Sequence, residues 1–200
     1  MSGPATAFPD PVHDAQRVFR LLLDAFAHPG TVVRTATAVT TPPLGPATSA
    51  ILLTVADQDT PVWLSPAFAT QAVRDFLAFH CGAPIVNDPL DAMFAVQDAR
   101  GGEPLEPRLD AYAIGSELYP DRSCTVLLEV SSLTDGLPKW AAGPGIANRI
   151  AIAPRIHSDF WTHWRENHAL FPCGCDVVLA AQDAWFALPR TTDVADHGDD

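Results

Sequence analysis

The chain has 200 residues, 48% of them hydrophobic and 18% charged, enough apolar material to bury one substantial core and too much for a disordered segment. Its 24 acidic residues face 12 basic ones, Lys139 being the sole lysine, so a net charge of −12 argues against nucleic acid as a partner and requires local arginines, a metal ion or a partner protein to hold any polyanion. No run approaches the roughly 18 apolar residues of a membrane span, and residues 1–11 lack signal-peptide features, which predicts a cytoplasmic protein. The four cysteines form no regular framework and read as reduced thiols.

In chain order, Val12 to Ala27 predicts an amphipathic helix with Val12, Ala15, Phe19, Leu22, Leu23 and Phe26 on its apolar side. Asp10 can cap it, Pro11 suits its first position, and Pro29-Gly30 ends it. Thr31 to Val39 reads as a strand, followed by a stiff loop through Pro42, Pro43 and Pro46 and a helix over about Ala47 to Ala56. Pro61 to Leu64 predicts a short buried strand. Gln71 to His80 predicts a helix capped by Thr70, with Val73, Phe76, Leu77 and Phe79 apolar. Strands follow at Pro84 to Val86, Ala92 to Val96 and Ser123 to Val130, the last apolar enough for a sheet centre.

Ala99 to Pro120 is irregular, with one helical turn over Leu109 to Ile114. Lys139 to Ala142 and Arg149 to Ala153 flank Gly143-Pro144-Gly145, a connection inside a sheet. Ser158 is placed to cap a helix from Asp159 to Ala169 that buries Phe160, Trp161 and Trp164. Asp176 to Ala180 and Ala184 to Leu188 form a hairpin, and Asp193 to Asp200 is a polar, frayed tail. These elements describe one α/β domain over residues 1–200, ordered from about 8 to 194, with three α/β/α layers around a mixed sheet.

The familiar enzymatic signatures are absent: no P-loop, GxGxxG, HExxH or GxSxG occurs. A Schiff base with pyridoxal phosphate would have to use Lys139, in the context Leu137-Pro138-Lys139-Trp140, where a surface lysine is the simpler reading. His163, His168, Cys173 and Cys175 have zinc-ligand chemistry without a paired CxxC knuckle, and small buried cysteines explain them better. Asp57 and Asp59 suit a nucleotide-bound magnesium but more readily a turn into Thr60-Pro61. His80, closing an apolar helix, reads as a satisfied helix-end histidine ahead of a catalytic base. Gly143 and Gly145 offer backbone donors to an anion or simply a tight turn. Arg190 beside Thr191 and Thr192 could clasp a phosphate or carboxylate, or clamp the chain end. No catalytic residue emerges from residue chemistry alone.

Several segments, in order, resemble the PhnH subunit family of bacterial carbon-phosphorus lyase. They are Asp14-Ala15-Gln16, Phe19-Arg20 and Leu22-Leu23 with Pro29-Gly30, then Ala47-Thr48-Ser49, Leu52-Leu53-Thr54, Ala56-Asp57 and Asp59 through Leu64. Phe79-His80 with Ala83-Pro84, Gly143 through Ile146, Phe171-Pro172, Gly174, Asp176, Leu179, and Leu188 through Thr192 complete the match, which covers Phe8 to Val194. The resemblance implies a reduced pyridoxal-phosphate-dependent transferase fold without that cofactor, and no metal held by this chain; Cys173 and Cys175 fall where the family does not require cysteine. It implies an accessory subunit with no self-sufficient active site. With PhnG, PhnI and PhnL such a subunit transfers an alkylphosphonate onto the ribose triphosphate of ATP, releasing adenine. Homodimers and a core assembly that includes PhnJ are also implied; a purely structural adaptor that never touches substrate is the alternative.

Overall fold

The computed structural model describes residues 7–36, 39 and 41–196. Among them, helix α1 spans Pro11–Ala27, with the Asp10 carboxylate accepting the His13 N–H. Strand β1 is Val33–Arg34, part of the strand expected over Thr31 to Val39, of which residues 37 and 38 lie outside the described residues. Helix α2 is Pro46–Val55, β2 is Val62–Leu64, and α3 is Gln71–His80 with the Thr70 hydroxyl capping Val73 N–H. Strands β3 (Ile85–Val86), β4 (Phe94–Asp98) and β5 (Thr125–Glu129) follow, then β6 (Lys139–Ala142), β7 (Ile150–Ile152), α4 (Asp159–His168), β8 (Asp176–Ala181), β9 (Ala184–Leu188) and β10 (Asp193–Ala195).

A seven-stranded mixed sheet runs in the order β1-β9-β8-β5-β4-β2-β3. β3, β2, β4, β5 and β8 are parallel, while β9 and β1 close one side antiparallel. As its apolar run predicts, β5 is central, and register aligns Phe94, Thr125 and Asp176 at one edge of the sheet and Asp98 with Glu129 at the other. Strand alternation sends Leu127, Val178 and Ala187 into a core with α1, α2 and α3, and Val126, Leu128, Val177 and Phe186 into a second core with Phe160, Trp161 and Trp164 of α4. A small antiparallel sheet, β10-β6-β7, completes that second core through Ala141, Ile152 and Val194.

Four local expectations are corrected. The buried stripe of α1 is Asp14, Val18, Leu22 and Ala25, leaving Val12, Phe19 and Leu23 exposed. The helix carries apolar residues on more than one face, so periodicity does not choose between them; Asp14 turns inward because its carboxylate accepts the Asp10 N–H at 3.0 Å and meets Arg17 at 3.2 Å. Phe79 of α3 is likewise exposed. The expected frayed tail contains β10, whose Val194 pairs with Ala141 and is buried; residues 197–200 lie outside the described residues. Ser158 precedes α4 in helical conformation and makes no side-chain cap; the Asp159 N–H donates to His157 Nδ1 at 3.3 Å instead.

Candidate functional site

The carboxyl ends of β4, β5 and β8 open into a cavity of about 220 Å³ lined by Gly45, Thr48, Arg100, Glu129, Ser131 and Gln182. Beside it lies a wider hollow of about 550 Å³ that shares Arg100 and Ser131 and adds Gly102, Arg155, His157 and Ser158. Together they form one cleft at the edge where open α/β sheets hold ligands.

Its chemistry starts from Glu129, the one charged residue in the run Ser123 to Val130, and buried. Gly45, the residue preceding α2, has no side chain to cap that helix; its N–H donates to Glu129 Oε1 at 2.6 Å, so a carboxylate from another element occupies the positive helix end. A side chain on Gly45 would crowd the same oxygen at 3.2 Å. Burial raises the Glu129 carboxyl above its ordinary value, opposed by the Gly45 N–H, the Thr48 hydroxyl and Arg100. Arg100 Nε and one terminal nitrogen each donate to Asp98 at 2.8 Å, and its other terminal nitrogen donates to Pro43 O at 3.1 Å and lies 3.5 Å from Glu129 Oε2. The guanidinium also covers the Phe68 ring at 5.0 Å and holds the Asp98 carboxyl below the usual range. Arg100, Arg155, His157 and two serines thus give the cleft donors, while Asp98 and Glu129 keep its charge close to balance.

None of the ligand, metal or contact candidates singled out from sequence lines this cleft, although Thr48 of the family segments and Ser158 do. Arg190 lies at the opposite, amino-terminal edge: its Nε and a terminal nitrogen donate to Asp176 at 3.1 and 2.7 Å, and the remaining N–H groups reach Pro120 O, Pro172 O and Ser123 Oγ. Its five N–H groups are used within the chain, which is the clamp geometry rather than the clasp. Thr192 is buried and its carbonyl accepts Trp164 Nε1–H at 3.0 Å. Gly143 and Gly145 both have positive φ; a Cβ on Gly143 would stand 2.9 Å from Thr191 O, and one on Gly145 would collide with Ala27 O, so the turn is built for close packing. The Asp57 carboxylate accepts Asp59 N–H at 2.9 Å, and the Thr60 N–H donates to Asp57 O, closing a turn. His80 sits against Phe76 and Phe79 at 5.0 and 4.8 Å.

The zinc-like set is also spoken for in part: Cys175 Sγ faces the Ala113 and Leu109 carbonyls, burial pushing its thiol up to about 12, and His168 Nδ1 lies 2.7 Å from Arg190 O. Among the described residues, no three His, Cys, Asp or Glu side chains converge. Lys139 departs from the surface reading: largely covered, it pairs with Asp196 and lies 5.9 Å from the Trp161 ring. Among the described residues, no helix is long and apolar enough to cross a membrane.

Fold and cleft define a mixed α/β protein whose polar cleft collects residues from several strand ends. Comparison with known proteins narrows this: the profile described as "Bacterial phosphonate metabolism protein (PhnH)" matches residues 6–195, and the chain belongs to that family. It is 46% identical over 188 residues, 93% of this chain and 92% of the relative, to the alpha-D-ribose 1-methylphosphonate 5-triphosphate synthase subunit PhnH of Rhizobium meliloti (strain 1021). It is 29% identical over 181 residues, 90% and 85% of the two chains, to the putative C-P lyase subunit protein HtxG of Stutzerimonas stutzeri.

Proposed function

We propose that this chain is the PhnH subunit of an alkylphosphonate ribosyl triphosphate synthase of the carbon-phosphorus lyase pathway, working in the cytoplasm with PhnG, PhnI and PhnL and within a core that includes PhnJ. The assembly joins a phosphonate oxygen to C1′ of the ATP ribose as the bond to adenine breaks. The near-full-length 46% identity to a synthase subunit carries this reading.

Within the proposal the cleft is where a phosphate- or phosphonate-bearing substrate touches this chain, with Arg155, His157, Ser131 and Ser158 as donors beside Arg100. The Arg190 to Thr192 segment, the Gly143-Pro144-Gly145 turn, the Asp57 and Asp59 turn and His80 support the frame around it. In this reading the chain carries no pyridoxal phosphate, and the engagement of its one lysine with Asp196 and Trp161 supports that. Helices covering the first core, and α4 with the small sheet covering the second, support the three-layer plan of a reduced pyridoxal-phosphate-type transferase. The exposed α1 stripe of Val12, Phe19 and Leu23, with Arg20 and Asp24 exposed on the same helix, supports a homodimer, because charges of both signs accompany it.

The test is adenine release from ATP and methylphosphonate by PhnG, PhnI and PhnL with and without this chain. Restored release supports the subunit; no effect overturns it. An Arg155→Ala chain that assembles normally but loses turnover at least tenfold favours substrate contact, whereas full turnover favours the adaptor.

A further inference from the structure

Half of the twelve large apolar side chains exposed among the described residues gather at one end of the parallel sheet. Six of them, Leu90, Met93, Leu118, Tyr119, Leu170 and Phe171, lie in the three connections that lead into the amino-terminal ends of β4, β5 and β8. Those strands start in register at Phe94, Thr125 and Asp176, and adjacent strands are spaced about 4.8 Å apart, so the three connections share one rim of the sheet. Hydrogen bonds tie them together. Thr125 N–H donates to Met93 O at 2.9 Å, Gly174 N–H donates to Ile114 O at 2.8 Å, and the Arg190 guanidinium reaches both Pro120 O and Pro172 O. These bonds hold together connections whose apolar side chains face outward, and exposed apolar surface gathered on a fixed frame marks an interaction site.

The charges around it identify the occupant. Asp88, Asp91, Glu117 and Asp121 are exposed along the same connections. Against these four carboxylates the connections set the exposed guanidinium of Arg122, which lies over the Tyr119 ring at 4.4 Å and keeps its charge, while Arg108 pairs with Asp110 and Glu166 at 3.1 and 3.5 Å. A second copy would press this acidic border against its own equivalent, on a chain already at −12.

We propose that the amino-terminal rim of the parallel strands docks a different polypeptide, one that presents an apolar centre bordered by Lys and Arg. This rests on the subunit reading above and adds to it the surface used and the charge of the partner's contact. The opposite rim, with the cleft, stays open when this one is covered.

The experiment uses the full chain with the PhnG, PhnI and PhnJ subunits from the same source. Leu118→Asp and Leu90→Asp, at side chains 84% and 58% exposed, are compared with wild type by size-exclusion light scattering and by titration into the other subunits, with thermal melts as the control on folding. The expected result is unchanged melting and at least tenfold weaker association for each variant, with Glu117→Lys also weakening it and the wild-type association falling as salt rises. Unchanged association of both Asp variants overturns the docking surface while leaving the subunit reading intact. Variants that convert a wild-type homodimer to monomer overturn the choice of occupant, and a wild-type chain that does not associate at all overturns both readings.

Discussion

Two arginines mark the two ends of the parallel sheet, and what their N–H groups meet separates a frame from a site. Arg190, whose side chain is 13% exposed, spends all its donors on Asp176, Ser123 and two carbonyls, locking the connections into β5 and β8 to the end of β9. Arg100 is 38% exposed, meets two carboxylates, Asp98 and Glu129, and borders both parts of an open cleft. Residue type is the same in the two places. Enclosure differs, and with it the cost of removing each group and the room left for a ligand.

The largest effect follows at Arg190. Arg190→Ala leaves the Asp176 carboxylate largely enclosed without its partner and frees the Pro120 and Pro172 carbonyls, so a loss of roughly 3 kcal/mol is expected. For a chain of this size that is a fall in Tm of about 10 °C, read by calorimetry. The double change Arg190→Met with Asp176→Leu should lose less than the single one, because no unpaired charge remains. A single variant that melts with wild type would show that the clamp contributes nothing.

Arg100→Ala should cost about 1 kcal/mol, since the guanidinium and its main partner Asp98 are partly solvated and buried Glu129, 3.5 Å away, can take up a proton in its place. Chemical denaturation of the two alanine variants side by side puts the comparison at risk: equal losses would mean that both ends are frame.

The sequence shows these two ends unequally. α3 is legible to the residue, because Thr70 supplies a capping hydroxyl and Val73, Phe76 and Leu77 recur on one face. The β8-β9 hairpin is equally plain, and with its register known, Val177 opposite Leu188, the meeting of Asp176 with Arg190 is a short step. Without the register, two neighbouring hydroxyls made Arg190 look like a ligand clasp. The cleft is harder to read, since Asp98 meets Glu129 only through the parallel pairing of β4 with β5, a contact between segments distant in the chain. One clue was present: a lone glutamate in an otherwise apolar central strand requires a buried partner or a function. Periodicity also could not choose the buried face of α1, where an aspartate displaces Phe19 and Leu23 from the core.

Glu129 offers the smallest and most specific test of the cleft. Burial holds its carboxyl above the ordinary value of 4.5, so in the folded chain ionisation is disfavoured relative to the unfolded one. A raised carboxyl favours the fold below the unfolded value, and that contribution is lost as pH rises through the folded value. Glu129→Gln keeps an oxygen to accept the Gly45 N–H and removes the titration. Measured by denaturation at pH 4 and pH 7, the stability of the glutamine variant relative to wild type should therefore improve at the higher pH. The same relative stability at both would mean that solvent or Arg100 compensates the carboxylate fully, and that the carboxyl edge is no more enclosed there than the open surface beside it.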